Sequence, residues 1–277
     1  MPELPEVETV RLGLLPYLEN ARLTSVSLNT PMLRFPFSDG FRQTLTGATI
    51  THLTRRAKYL LFHLDRDAIL LTHLGMSGKF TYSPTAEYQP KKHDHVVFET
   101  DTGKTIAYND PRRFGFMVTM PVADIETHPM LAPLGVEPLS DQFSPNYLAQ
   151  KLYKKSVAIK QTLLEQRVVA GLGNIYVSES LHYANINPLQ PAQTIPLEQL
   201  EKLVKSIKMV LKTALAAGGS TLNDYSHPSG ELGCFQHQFA VYGRHQQPCN
   251  TCHKGTIQKI TQGGRSSFYC DFCQKLV

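Results

Sequence analysis

"CNTCHKGTIQKITQGGRSSFYCDFC", residues 249–273, is the stretch on which the reading of this chain turns. Cys249 and Cys252 form one Cys-x-x-Cys pair, Cys270 and Cys273 another, and seventeen residues lie between the pairs. Each pair can hold one side of a tetrahedral metal from a tight turn, and seventeen residues are enough for a hairpin between them. Four thiolates leave no position open for water, so the expected ion is one structural Zn²⁺. Disulfides are the alternative, and a cytosolic chain disfavours them. Gly263-Gly264 reads as the turn of the hairpin, with Arg265 just beyond it. A pinned hairpin would hold that guanidinium at its tip, where it could meet a phosphate bidentately; on an unsupported loop the same Arg would simply be solvated. Cys234, the fifth cysteine, is expected to be a buried thiol.

Working outward, the chain has 277 residues, 42% of them hydrophobic and 18% charged, with 18 Gly and 18 Pro. That composition is globular and long enough for one large domain or two ordinary ones. No run approaches the ~20 apolar residues of a membrane span, and Met-Pro-Glu lacks the basic and apolar parts of a signal peptide. A cytoplasmic address and no membrane partner are expected. The net charge of +5 is concentrated late in the chain. Lys151, Lys154, Lys155, Lys160 and Arg167 face only Glu165 within residues 151–175, and Arg244, Lys254, Lys259, Arg265 and Lys275 face only Asp271 within 238–277. A polyanionic partner would suit such patches, as would a plain solvated surface.

The periodicities change along the chain. Val7, Val10, Leu14 and Leu18 recur at helical steps, with Pro5 in the first turn, and Pro16 is expected to kink or end that helix. From about 21 to 120 the texture is short β-rich runs, "RLTSVSLN", "KYLLFHL", "AILLTHL", "HVVFET" and "FGFMVTM" among them. Asp65-Arg66-Asp67 and Asp101-Thr102-Gly103 separate neighbours as hairpin turns would. This half reads as a sandwich or barrel. A Pro-rich connector then leads to helices, the clearest carrying Leu197, Leu200, Leu203, Val204, Ile207, Val210, Leu211, Ala214 and Leu215 on one stripe. The fold class is therefore α+β.

Three other clusters carry chemistry. "VVAGLGNIYVSESL" places Gly171, Gly173 and Asn174 between two stretches of helical spacing. It lacks the third glycine of a dinucleotide fingerprint, so a turn between helices fits better, its N–H groups and the following helix N-terminus facing a phosphate. "KKHDHVVF" sets His93 and His95 at alternate positions, on one side of a strand if a strand it is. "NDPRRFGF" combines a turn, two Arg and two aromatics, which suits phosphate clamping or a wedge into a base stack, and equally an ordinary hairpin end. The opening "MPELPEVETV" adds a question: trimming of Met1 would leave Pro2 as a secondary amine, a possible nucleophile.

Taken in order, these stretches resemble formamidopyrimidine-DNA glycosylase, the bacterial family that removes oxidised purines. "PELPEVET", "RRAKYL" at 55–60, "HLGMSG" at 73–78, "KHDH" at 92–95, "DPRRFG" at 110–115, "GLGNIY" at 171–176, "VYGR" at 241–244 and the four-cysteine tail carry the resemblance across nearly the whole chain. It implies a β-sandwich catalytic domain over 1–135 with an N-terminal helix, a helical domain with a helix-two-turns-helix motif over 136–237, and a zinc-ribbon hairpin over 238–277. It implies Pro2 as the nucleophile on C1′, Glu3 as general acid/base, Lys58 as proton donor in β-elimination, and Arg265 as the residue of the δ-elimination. Met76, Arg112 and Phe114 correspond to the side chains inserted where the damaged nucleotide leaves the duplex, and His93, Lys160 and Asn174 to phosphate contacts. The implied partner is double-stranded DNA containing oxidised purines such as 8-oxoguanine or formamidopyrimidines, bound by a monomer. The loop of residues 221–239 corresponds to a segment that covers the flipped base. Ser156 stands where some relatives carry a lysine, which leaves the contact of Lys154 or Lys155 unassigned.

Other readings weigh less. An endonuclease VIII-type relative for oxidised pyrimidines would open with Gly where Leu4 stands and lacks this trio. A zinc-ribbon DNA-binding protein without catalysis leaves Pro2 and Glu3 unexplained. A proline tautomerase has neither the four-cysteine tail nor the basic half.

Overall fold

The computed structural model describes residues 2–220 and 234–276. The chain forms two compact units, Met1–Ala132 with Ala217–Cys234, and Pro133–Ala216 with Phe235–Val277.

The first unit begins with helix α1 (Leu4–Leu18). Glu3 is its N-cap and donates its backbone N–H to Glu6 Oε2 at 2.9 Å, while Pro5 sits in the first turn, where its missing N–H is no loss. Val7, Val10, Leu14 and Leu18 are all buried. The helix continues through Pro16 to Leu18, where the sequence predicted a kink or an end. In the last turn a proline forfeits one backbone bond and no downstream helix remains to be disrupted.

Helix α2 (Phe41–Leu45) and two short 3₁₀ turns aside, the regular elements among the described residues of this unit are strands. One antiparallel sheet has the order β1 (Leu23–Leu28), β6 (Asp94–Thr100), β7 (Lys104–Asn109), β5 (Lys79–Pro84). The other has the order β2 (Ile50–Arg56), β3 (Tyr59–Leu64), β4 (Ala68–His73), β8 (Phe116–Pro121). Leu23, Phe80, Val96, Phe98 and Tyr108 of the first sheet share one apolar cluster with Leu60, Phe62 and Leu70 of the second and with Val10 and Leu14 of α1. The result is a β-sandwich with a helix completing its core. The two hairpin turns read from the sequence are present: Asp67 (φ 51°) closes β3–β4 and Gly103 (φ 70°) closes β6–β7, each in the left-handed region that ends a three-residue hairpin loop.

The second unit holds helices α3 (Pro145–Leu152), α4 (Ile159–Leu163), α5 (Asn174–Tyr183) and α6 (Leu197–Ala216) and the hairpin β9 (Ile257–Gln262)–β10 (Arg265–Cys270). Ser144 caps α3 by accepting from the Tyr147 N–H. The α6 stripe buries Leu200, Leu203, Val204, Ile207, Val210, Leu211 and Ala214 against α3 and α5. The stretch before the glycine turn is not helical. Val168 closes a turn on the Glu165 carbonyl, Val169 bridges Val136, and the Gln166 side chain closes the loop by bonding Gly171 N–H and Leu172 C=O. Paired β-branched residues favour that course over another helical turn. Cys234 is exposed, where the sequence predicted a buried thiol.

Candidate functional site

Pro2 and Glu3 are both buried at the head of α1. Reciprocal bonding with Glu6 fixes the Glu3 backbone in the extended conformation of a cap. Glu8, one turn further on, binds Arg11 at 2.6 Å and Arg55 of β2 at 3.0 Å, and Arg11 reaches the Leu53 carbonyl at 3.1 Å. Burial works to raise the Glu8 carboxyl, but the two guanidiniums outweigh it and hold the group below the usual range. This network ties the N-terminal helix to the β2–β3 hairpin, whose tight turn is Ala57 (φ 53°) and Lys58. Lys58 is 5% exposed, a buried ammonium and not a solvated strand lysine.

Next to Lys58, Tyr59 pairs across the sheet with His73, and His73 in turn pairs with Phe116, the two rings stacked at 5.6 Å and 10°. The Gly75 N–H donates to His73 Nδ1 at 3.0 Å, so the neutral ring carries its proton on Nε2. Burial first, then the charges of Lys58 and Arg34, push the His73 pKa down to about 4. His73 lies inside the "HLGMSG" motif, yet nothing in the sequence singles it out. The strand register that places it beside Lys58 is visible only in three dimensions.

Met76 lies half-buried in the turn after β4, while Arg112 and Phe114 are exposed in the turn before β8. The Arg112 guanidinium stacks 4.7 Å above the Phe114 ring. Asp110 and Ser77, buried beneath these turns, carry no sequence signal of their own beyond belonging to the same motifs. His93 precedes β6 with φ 78°, outside the strand, yet its ring meets that of His95 edge-on at 5.9 Å, so the two lie together as the spacing suggested. His95 is buried and bonds the Asp110 carbonyl at 3.0 Å.

In the second unit the Gly263-Gly264 turn has φ 54° and 73°, the left-handed pair of a two-residue hairpin, and it delivers an exposed Arg265. The strand beside that Arg is bolted down. Lys160 is 1% exposed and donates to the Ser266 carbonyl at 2.8 Å and to Ser267 Oγ at 2.6 Å. Its ammonium therefore points toward β10. Asn174, the first residue of α5, donates Nδ2 to the same carbonyl at 2.9 Å, and its Oδ1 is buried with no hydrogen-bond partner. Lys155 is held at 3.0 and 2.9 Å by both oxygens of Glu165, while the Lys154 ammonium lies over the Tyr153 ring. Glu179, fully buried on α5, accepts the N–H groups of Ala240, Val241 and Tyr242 at 2.8–3.0 Å and so shapes the "VYGR" turn. Of the 221–239 loop, residues 221–233 lie outside the described residues.

The four cysteines converge as their spacing requires. Their sulfurs lie within 4.8 Å of one another, with Cys249–Cys273 at 3.9 Å and Cys252–Cys270 at 3.8 Å. A tetrahedron with metal–sulfur bonds of about 2.3 Å has edges of about 3.8 Å, so the set fits one metal ion. The N–H groups of Lys254 and Gly255 bring the Cys252 thiol down to about 6, favouring the thiolate a metal needs, whereas burial raises Cys270. Gly255 is required here, because a Cβ would press on the Cys270 sulfur.

Comparison with known proteins adds a consistent picture. Residues 1–117 match the formamidopyrimidine-DNA glycosylase N-terminal domain, and residues 134–226 match the formamidopyrimidine-DNA glycosylase H2TH domain. The formamidopyrimidine-DNA glycosylase of Phenylobacterium zucineum is 52% identical over 99% of this chain and 100% of its own, and that of Rhodopseudomonas palustris 50% over the same shares. Among solved structures, a Lactococcus lactis FPG mutant bound to Fapy-dG-containing DNA superposes with a TM-score of 0.91 at 34% identity, covering 99% of this chain and 100% of that one. The wild-type Lactococcus lactis protein with oxidised-pyrimidine-containing DNA gives 0.90 at the same identity and coverage.

Proposed function

The chain belongs to the formamidopyrimidine-DNA glycosylase family, and from that membership we propose that it excises oxidised purines from duplex DNA through Pro2 and then cleaves the strand by β- and δ-elimination. The observation that carries the reading is the N-terminal one: Pro2 and the capping Glu3 are buried together at the head of a helix tied to the hairpin that presents Lys58.

Removal of Met1 would free the Pro2 nitrogen. An α-amino group titrates near ~7.7 to 8.0, so part of it is unprotonated at neutral pH. Its lone pair attacks C1′ of the damaged nucleotide, the glycosidic bond breaks, and the base leaves with a proton. Glu3 moves protons at this step. Opening of the sugar gives a cationic iminium, which a secondary amine forms without losing a further proton, and the iminium is the electron sink for both eliminations. Loss of a C2′ proton then expels the 3′ phosphate, with Lys58 as proton donor. A second elimination, assigned to Arg265, expels the 5′ phosphate. The product is a one-nucleotide gap with a phosphate on each side.

The nucleotide must first be rotated out of the helix, which costs a few kcal/mol. Phe114 wedges between bases, Arg112 donates to the orphaned cytosine and Met76 fills the remainder. His93, Arg265 and Asn174 face phosphates, and the buried Lys160 supports that contact by holding β10. The four cysteines would carry Zn²⁺, which when bound fixes the hairpin and takes no part in bond breaking. The enzyme acts as a cytoplasmic monomer.

The test is excision and borohydride trapping on duplexes containing 8-oxoguanine opposite cytosine, with an oxidised-pyrimidine duplex alongside. The expected result is a covalent band, strongest on the purine lesion and absent in Pro2→Gly. A mobility shift with no covalent band would reduce the protein to a DNA-binding module.

A further inference from the structure

We propose that Asp110 and Ser77 are a positioning pair that couples the Met76 turn to the Arg112–Phe114 turn, so that the three inserted side chains enter the duplex as one rigid body. This role rests on the proposed insertion of Met76, Arg112 and Phe114 into the duplex.

Asp110 is fully buried, whereas Phe114, four residues on, is 44% exposed. The Asp110 carboxylate spans both turns. Oδ1 accepts from the Ser77 hydroxyl at 2.6 Å, next to Met76, and Oδ2 accepts from the Gly115 N–H at 2.8 Å, next to Phe114. Ser77 Oγ also accepts the Arg112 N–H at 3.3 Å, and the Tyr108 hydroxyl reaches Oδ2 at 3.4 Å. Each inserted residue is therefore one peptide bond or less from a group on this network. The Asp110 carbonyl adds a bond from the Arg113 N–H at 3.1 Å and the contact with His95 at 3.0 Å.

Packing at the crossing is backbone on backbone. A Cβ on Gly75 would collide with the Phe114–Gly115 peptide, and one on Gly115 would collide with the Tyr108 hydroxyl. The Tyr108 hydroxyl lies against both Gly78 and Gly115, and around it the Asp110 carboxylate and the Ser77 hydroxyl bond the two turns to each other. A buried carboxylate is expensive unless its oxygens are satisfied, and an apolar residue would fill the same space at less cost. What Asp provides is simultaneous acceptance from two loops in fixed directions. Rigid turns lose little freedom when they enter the stack, which leaves more of the contact energy available to hold the nucleotide out.

The experiment compares wild type, Asp110→Asn, Ser77→Ala and Phe114→Ala under single-turnover conditions. One substrate is the 8-oxoguanine duplex, where a base pair must be opened. The other is a single-stranded oligonucleotide with an abasic site, where nothing needs to be displaced. Asp110→Asn and Ser77→Ala should each lower duplex excision by about tenfold or more, as expected for a lost charge-assisted bond, and leave strand cleavage of the abasic oligonucleotide within about twofold. Combined with Phe114→Ala, neither should reduce excision beyond Phe114→Ala alone, because all act on one insertion step. Unchanged excision, equal losses on both substrates, or additive losses with Phe114→Ala would each overturn the proposal. Should Asp110→Asn fail to fold, Ser77→Ala decides, since it keeps the carboxylate and its bond to Gly115. A wild type inert on both substrates would instead refute the underlying functional reading.

Discussion

Between pH 7 and pH 5 the wild-type chain should lose about 2 kcal/mol of stability that a His73→Asn variant does not lose. His73 is shifted from near 6.5 to about 4 by burial, with Lys58 and Arg34 opposing its charge. The folded pKa is depressed, so the contribution is present above the unfolded value and disappears as pH falls toward the folded one. At pH 5 the unfolded ring is almost wholly protonated and the folded ring only about one part in ten, which gives that magnitude. Asn can still accept the Gly75 N–H through its side-chain oxygen, and loss of the ring stack with Phe116 lowers stability equally at every pH. The assay is urea unfolding at both pH values followed by far-UV circular dichroism, since the chain has no Trp. Parallel pH dependence in the two proteins would refute the claim that His73 is a neutral group held against cationic neighbours.

Three further outcomes are expected. Lys160→Met should destabilise the second unit by about 1–3 kcal/mol and shift products from δ- toward β-elimination, because the bonds to Ser266 and Ser267 hold the strand that starts at Arg265; product gels and denaturant titration read both. Glu179→Gln leaves at least one of the N–H groups of Ala240, Val241 and Tyr242 facing an amide donor and should also cost about 1–3 kcal/mol, measured by thermal unfolding with DNA affinity in parallel. Cys249→Ser should reduce bound zinc from about one per chain to well below that and weaken DNA binding without altering the Pro2 nitrogen, checked by metal analysis and by trapping at saturating DNA.

Elements whose side chains obey a short period were legible in the sequence. The short β-rich runs and the two Cys-x-x-Cys pairs are found where the sequence put them, and the α6 stripe is buried from Leu200 to Ala214, with Leu197 at its first turn exposed and Leu215 half-buried. Pro16 and Val168–Ala170 depart from their sequence patterns because a proline's effect depends on how much helix remains after it, and because valines with helical spacing can serve equally well outside a helix. Lys160 illustrates a different limit. Its charge suggests a surface, but Ser266 and Ser267, far along the chain, offer an acceptor pair that makes burial favourable. Asp110, His73 and Glu179 were invisible for the same reason: their partners come from other strands and turns, and only the register brings them together.

The central claim is that the nitrogen of Pro2 forms the bond to the sugar. The direct measurement is peptide mapping by mass spectrometry of the borohydride-reduced complex with 8-oxoguanine duplex. The prediction is that the sugar remnant sits on the N-terminal peptide, on a chain that begins at Pro2. An adduct on a lysine peptide, with Lys58 the foremost candidate, would contradict it.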